Sequence, residues 1–287
     1  MSQVFREGLL DGQVCIVTGG GSGLGRVTAL ELASLGARVI VCGRREEPLQ
    51  ETAALAPAGN VSAATCDIRE EDEVDAFVDG VVAEHGRIDL LVNNAGGQFL
   101  VPAESITPKG FRTVIRLNVE GTWLMTHAVA TKAMIPQRGG KILSVTLTPH
   151  NGLPGMVHSC AARAAVDNMM KVLAVEWARF DIKLNAIAAG VFGTDTFLTK
   201  YPTPIVEGAA ATVPLQRLGR PEEIAWLVAH LASPAGDYTT GSVIDVDGGR
   251  NNYLGTWPPG HESDDAGNPL AEARRHLRTD EVPPRAG

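Results

Sequence analysis

Tyrosine and cysteine are scarce in this chain: three of its 287 residues are Tyr, four are Cys, and aromatics together make up 5%. Cys15, Cys42, Cys66 and Cys160 form no Cys-x-x-Cys pair, which argues against a zinc site or a disulfide framework. No metal centre is expected. The first three lie in or at the ends of apolar, strand-like runs, so buried thiols in a reducing compartment are the expectation. Also missing is any uncharged apolar run of about 18 residues, the length that marks a membrane helix. The first thirteen residues lack the apolar segment of a signal peptide, and the last four are not a peroxisomal address. The expected location is therefore cytoplasmic. Positive charge is in deficit, with 25 Lys and Arg against 33 Asp and Glu, a net charge of −8. That balance argues against nucleic acid and against an anionic membrane surface as partners.

What is present is an alternation of short apolar runs with longer amphipathic stretches. It implies a parallel sheet with helices on both faces. Strands are expected at residues 14–18, 38–42, 61–66, 88–92, 141–145, 182–187 and 243–246. Helices are expected at 23–35, 70–84, 118–134 and 158–180, with a last one opened by Pro221 in the favoured first-turn position. A further helix between the second and third strands is interrupted at Pro57, and Gly36 serves as a left-handed cap. The fold class is α/β, a Rossmann-type doubly wound, seven-stranded parallel sheet in a single domain over residues 1–250. Residues 251–287 shift to Pro, Gly, Asp and Arg and read as a polar C-terminal tail.

Between the first strand and first helix runs Thr18-Gly-Gly-Gly-Ser-Gly-Leu-Gly25. Glycines let the backbone approach a pyrophosphate, and free N–H groups at the helix start bind the anion. Gly19, Gly21, Ser22, Gly23, Leu24 and Gly25 are the candidate phosphate contacts. An NAD site would end the second strand with a carboxylate for the ribose 2′-OH. Here Gly43 stands there and Arg44-Arg45 follow, which suits a 2′-phosphate. NADP(H) is the expected cofactor. Asp67, after the third strand, is placed either to meet the adenine amino group, with Ile68 beside it, or to cap the helix near Glu70.

Four features in order, Thr18-Gly-x-x-x-Gly-x-Gly25, Asn93-Asn-Ala-Gly96, Asn118 opening a long helix and Asp247-Gly-Gly249, resemble the short-chain dehydrogenase/reductase family over residues 10–250. Three segments resemble its 2-enoyl-CoA and 2,4-dienoyl-CoA reductase subgroup, the peroxisomal trans-2-enoyl-CoA reductase in particular. They are Gly96-Gly-Gln-Phe-Leu-x-Pro-Ala-Glu104, Val157-His-Ser-x-Ala-Ala-Arg-Ala164 and Val246-Asp-Gly-Gly-Arg250. The resemblance implies Asn94, Ala95 and Gly96 beside the adenosine half of the cofactor. It also implies Asn118 near the catalytic centre, and Gly190 and Thr194 at the nicotinamide end. Family members commonly assemble as dimers or tetramers.

The sequence departs from that family at its Tyr-x-x-x-Lys pair, where it carries Ser159 and Arg163. A Ser hydroxyl is a far weaker acid than a phenol, which ionises near pH ~10. Arg does not surrender its proton, although it can grip ribose hydroxyls. Tyr201, Tyr238 and Tyr253 all stand away from this helix in sequence, so none of them replaces the missing Tyr on it. Ketone reduction by the usual route is thereby disfavoured. Reduction of an α,β-unsaturated thioester asks for neutral donors to an enolate instead. The candidates are Asn118, Thr146, Thr148 and Ser159, with Arg163 on the cofactor. Thr146 stands near the position of the family's usual serine. His158 reads as a solvated or capping histidine with an alternative role in proton transfer, and Asp167 as a structural partner of Arg163 one turn away.

Residues 195–215 read as an irregular, fairly apolar cover, with Phe197, Leu198, Tyr201, Ile205 and Val206 available to line an acyl pocket. Lys200, Arg217 and Arg220 are the cations available to an acyl-CoA. Small or apolar residues on more than one face of the two long helices (Trp123 and Val119 on one, Ala165 and Met169 on the other) point to a homo-oligomer, dimer or tetramer. Three functions stay open: NADPH-dependent enoyl- or dienoyl-CoA reduction; NADP(H)-dependent dehydrogenation of a terpenoid or fatty alcohol; and cofactor binding without catalysis.

Overall fold

Alternate residues of the first strand face opposite sides of the sheet, and all five, Val14–Thr18, are buried. That is the signature of a parallel strand covered on both faces. The structure, a computed structural model, describes residues 2–56, 59–148 and 152–253. Among these, β1 (Val14–Thr18), β2 (Arg38–Gly43), β3 (Val61–Thr65), β4 (Leu90–Asn93), β5 (Gly140–Leu147), β6 (Ile182–Ala189) and β7 (Val243–Val246) form one seven-stranded sheet. Its order is β3-β2-β1-β4-β5-β6-β7, and every pairing is parallel.

The helices are α1 (Gly23–Ser34), α2 (Glu46–Leu55), α3 (Glu71–His85), α4 (Pro108–Ile115), α5 (Gly121–Val129), α6 (Ile135–Gln137), α7 (Val157–Trp177), α8 (Asp195–Lys200), α9 (Thr203–Ala209) and α10 (Pro221–Ala232). Val14 and Ile16 join a core with Val78 of α3, Met125 of α5 and Val166 of α7. Cys15 and Val17 join the opposite core with Leu32 of α1, Leu49 of α2 and Val228 of α10. The chain winds outward from β1 to β3, then restarts at β4 on the other side of β1. Ligands of such sheets bind in the crevice beyond the strand ends at this reversal.

The structure departs from the expected elements in three places. The helix expected from residue 118 begins at Pro108, where Thr107 accepts a capping bond from the Gly110 N–H at 3.0 Å. It passes through two π-helical turns, Arg116–Glu120 and Ala130–Met134, which break the 3.6-residue period. The cover expected to be irregular holds α8 and α9, the first capped by Thr194 Oγ1 accepting from the Phe197 N–H at 3.2 Å. Pro57 and the tail from residue 254 lie outside the described residues. All four cysteines are free thiols. Burial pushes Cys15 and Cys42 well up and Cys66 to about 12, so none of these three is a nucleophilic thiolate at neutral pH. Among the described residues no helix is long and apolar enough to cross a membrane, and no cluster of metal-binding side chains occurs.

Candidate active site

The turn after β1 is built by the segment after β4. Thr18 Oγ1 accepts from the Asn94 and Ala95 N–H groups at 3.0 and 2.9 Å, and Asn94 Nδ2 donates to Thr18 O at 3.0 Å. A Cβ on Gly25 would sit 2.4 Å from Asn94 Nδ2 and 2.5 Å from Gly19 O, so only glycine lets the two segments meet. Gly19 and Gly23 take positive φ, 67° and 52°. From the other side Thr52 Oγ1 donates to Gly20 O at 2.9 Å, and Arg26 Nη2 donates to Gly21 O at 2.6 Å. Neither Arg26 nor Thr52 is singled out by the sequence reading, although a cation directly after Gly25 was a visible signal.

This turn fits a dinucleotide. Ser22 makes no side-chain bond to the first turn of α1, and that turn carries no acidic residue. Its N–H groups therefore lack a side-chain acceptor, and the helix dipole favours an anion there. A Cβ on Gly23 would lie 3.7 Å from Thr194 Cγ2, so Thr194 stands across the turn from it. Leu24 packs against the core at its side. At the far end, Gly190 lacks the Cβ that would strike the Asp247 backbone at 2.6 Å.

Arg44 and Arg45 are exposed at the end of β2 and the start of α2. Asp67 is not the cap of α3, since Glu70 holds that position. Its carboxylate instead takes the Arg69 guanidinium, with Nε to Oδ1 at 2.9 Å. The hydrogen bond from Arg69 and the nearby charge of Arg44 lower the Asp67 pKa against the opposing effect of burial. Ile68 is a core side chain that fills the place a Cβ on Gly121 would take, so only its backbone is free for a ligand.

At the catalytic end, Gly96, Asn118 and Arg163 converge. A Cβ on Gly96 would lie 2.4 Å from Arg163 Nη2 and 2.7 Å from Asn118 Oδ1. Asn118, in the first π turn, donates Nδ2 to Gly97 O at 2.9 Å and to Val114 O at 2.8 Å, and accepts from the Gly97 N–H at 3.2 Å. Both its N–H bonds are thus engaged on backbone, which corrects the expectation of a free donor to substrate. Arg163 Nη1 donates to Val145 O at 3.1 Å, and its enclosed Nε has no hydrogen-bond partner among the described residues. Burial pulls this guanidinium down to about 10, with Asp167 acting the other way. It stays charged at neutral pH.

Thr146 Oγ1, next along β5, is buried without a hydrogen-bond partner among the described residues, whereas Thr148 Oγ1 donates to Ala189 O at 3.4 Å. His158 is fully buried against Phe99, ring centroids 4.3 Å apart, and neither ring nitrogen has a partner among the described residues. It is neither a solvated histidine nor a cap. Ser159 Oγ donates to Gln98 Oε1 at 2.9 Å, and Gln98 Nε2 donates to Tyr201 Oη at 3.2 Å. Tyr201, one of the residues expected to be available to an acyl pocket, therefore brings a phenol to this site from the α8–α9 connection. Two of the expected CoA cations are engaged within the protein: Arg217 is paired with Glu223 at 2.7 Å and Arg220 lies over the Trp226 ring. Lys200 is exposed.

A glycine turn opening a helix at the sheet's switch point, with an Arg and an Asn gathered at its far end, defines a nicotinamide-dependent oxidoreductase. The family described as Enoyl-(Acyl carrier protein) reductase matches residues 19–251. The chain is 36% identical over 255 residues to the probable 2,4-dienoyl-CoA reductase of Bacillus subtilis (strain 168), covering 87% of this chain and 100% of that one. It is 33% identical over 261 residues to a peroxisomal 2,4-dienoyl-CoA reductase of Arabidopsis thaliana, covering 87% and 88%. Among solved structures, the citronellol catabolism dehydrogenase of Pseudomonas aeruginosa PAO1 superposes with a TM-score of 0.78 at 42% identity, over 88% of this chain and 100% of the other. The chain belongs to the short-chain dehydrogenase/reductase family.

Proposed function

We propose that this oxidoreductase reduces the carbon–carbon double bond of an α,β-unsaturated acyl thioester, an enoyl-CoA or dienoyl-CoA, with NADPH. The observation that carries the reading is the absence of an acid–base pair on α7. Ser159 donates its hydrogen bond to Gln98, and Arg163 is enclosed beside Val145 and stays charged at neutral pH. Carbonyl reduction by the usual route needs a phenol and a lysine side by side on this helix; conjugate reduction needs donors to an enolate oxygen and a proton for the α-carbon. The buried hydroxyl of Thr146, without a hydrogen-bond partner among the described residues, suits that oxygen, whereas that of Thr148 is already given to Ala189 O. The names of the relatives in B. subtilis and A. thaliana point the same way.

When bound, the cofactor supplies the hydride. Gly19, Gly21, Ser22, Gly23 and Gly25 would hold its pyrophosphate, with Leu24 beside them. Arg44 and Arg45 would pair with the 2′-phosphate, and Asp67, Ile68, Asn94, Ala95 and Gly96 would flank the adenosine half. Arg163 would grip the nicotinamide ribose, and Gly190 and Thr194 would border the nicotinamide. Asn118 holds the turn at Gly97 in register, a positioning role. We further infer a cytoplasmic homo-oligomer without nucleic-acid or membrane partners, in keeping with the net charge of −8.

The test is NADPH oxidation with 2-enoyl-CoA and 2,4-dienoyl-CoA thioesters, run beside ketones and, with NADP, alcohols. Turnover of the thioesters alone is the expected result; turnover of ketones and alcohols alone overturns the reading. The 42% identity to the citronellol catabolism dehydrogenase favours one second reading, dehydrogenation of a terpenoid alcohol, so citronellol belongs in the panel. Tight NADPH binding with no turnover of any substrate would leave a cofactor-binding protein without catalysis.

A further inference from the structure

The hydrogen bonds around Gln98 have a direction. A carboxamide has a donor end and an acceptor end, and here both are assigned. Oε1 accepts the Ser159 proton, so the only O–H of Ser159 is used inside the array. Nε2 donates to Tyr201 Oη, so the phenol is the acceptor in that bond and its own O–H points elsewhere. Among the described residues the Tyr201 hydroxyl donates to no other group. The Tyr201 ring is partly buried and rests on Phe197, centroids 5.2 Å apart, on the connection from α8 to α9. The backbone beside Gln98 is held in turn, since the Gly97 N–H and C=O are both bonded to Asn118.

We propose that Tyr201 is the catalytic acid of this site and that Gln98 and Ser159 are positioning residues that turn its O–H toward substrate. This rests on the conjugate reduction proposed above. The hydride and its electron pair bond to the β-carbon, and the π pair moves to form the enolate. The α-carbon then takes the Tyr201 proton as the phenolic O–H bond breaks. The phenolate left behind recovers a proton from water, to which the partly exposed ring has access. One hydride and one proton add across the double bond while the cofactor is oxidised. The phenol absent from α7 is thus supplied from the segment that carries α8 and α9.

The experiment uses the full chain with NADPH and the best substrate of the thioester panel. Tyr201→Phe, which keeps the ring on Phe197, is expected to lower kcat by about 100-fold, the scale of a lost general acid, with the NADPH Kd unchanged. Gln98→Glu keeps the shape but makes the centre acceptor-only, so Tyr201 turns its proton inward. Its kcat should fall nearly as far as that of Tyr201→Phe. Ser159→Ala leaves the phenol in place and should cost less than about tenfold, below the range of a lost acid. A readout independent of turnover comes from 13C-labelled tyrosine, because the chain has only three. Gln98→Leu should move the Tyr201 resonance and leave those of Tyr238 and Tyr253 in place. Full kcat in Tyr201→Phe or Gln98→Glu, or a deeper loss in Ser159→Ala than in Tyr201→Phe, overturns the proposal, as does an unmoved resonance. If the wild type ignores thioesters but reduces a ketone, conjugate reduction fails by itself. The acid assignment is then decided by the same variants on the ketone. A wild type silent on every substrate overturns both.

Discussion

Arg44 is an exposed residue whose charge reaches Asp67, itself already held by Arg69. Arg44 and Arg45 thus stand exposed at the end of β2, where an NAD site would present a carboxylate. Arg44→Asp should therefore weaken NADPH binding much more than NADH binding, measured as two Kd values by cofactor fluorescence. Equal losses would remove the 2′-phosphate role. Thr146 makes a second prediction at this scale. Its hydroxyl is buried without a partner among the described residues, and burying such a group costs about 1–3 kcal/mol. Thr146→Val should leave thermal stability unchanged or higher while lowering kcat by about 100-fold, the scale of one lost oxyanion donor. Retention of kcat would take Thr146 out of the reaction. The substitutions at Ser159 and Arg163 are legible in sequence, because a helix keeps a four-residue spacing. Tyr201 is not, because nothing local links it to Gln98.

Among the helices, α10 shows how an element is started and how its start responds to pH. Pro221 fills the first turn, and Glu223 accepts the Arg220 N–H at 2.8 Å while pairing with Arg217. The hydrogen bond from Arg217 is the main cause that lowers Glu223 from 4.5 to about 2. A carboxylate more acidic in the folded state binds fewer protons there than in the unfolded chain. Its contribution is complete above pH 4.5 and fades as pH falls toward 2. Glu223→Gln should flatten that part of the Tm-against-pH curve and leave the slope above pH 5 unaltered; an unchanged acid limb would count against the pair. The starts of α1 and α10 and the bounds of β1 and β7 follow from local signals such as glycine, Pro221 and short apolar runs. The long helical stretch from Pro108 does not, since its two π turns slip the apolar pattern by one residue each. The helices α8 and α9 are too short to leave a periodic trace.

For the molecule as a whole, α5 and α7 turn one face to the core and another outward. Ala128, Ala133, Leu173 and Trp177 are core residues, while Trp123, Val172 and Val175 are 40%, 47% and 79% exposed. Exposed apolar residues on helix surfaces are what a subunit contact covers. Val175→Asp should lower the assembly mass in sedimentation with little change in the monomer fold by circular dichroism. A wild type that is already monomeric would remove the homo-oligomer reading. The amino-acid sequence by itself determined the parallel α/β layers, the glycine turn after β1 and the loss of the Tyr–Lys pair, because each is written in contiguous residues or in a helical spacing. Only the tertiary structure decided that Asn118 is engaged on Gly97, that Thr146 is left unpartnered, and that Tyr201 meets Gln98. These facts depend on side chains from separate elements arriving at one point, and a hydrogen bond forms only where donor and acceptor come within about 3 Å.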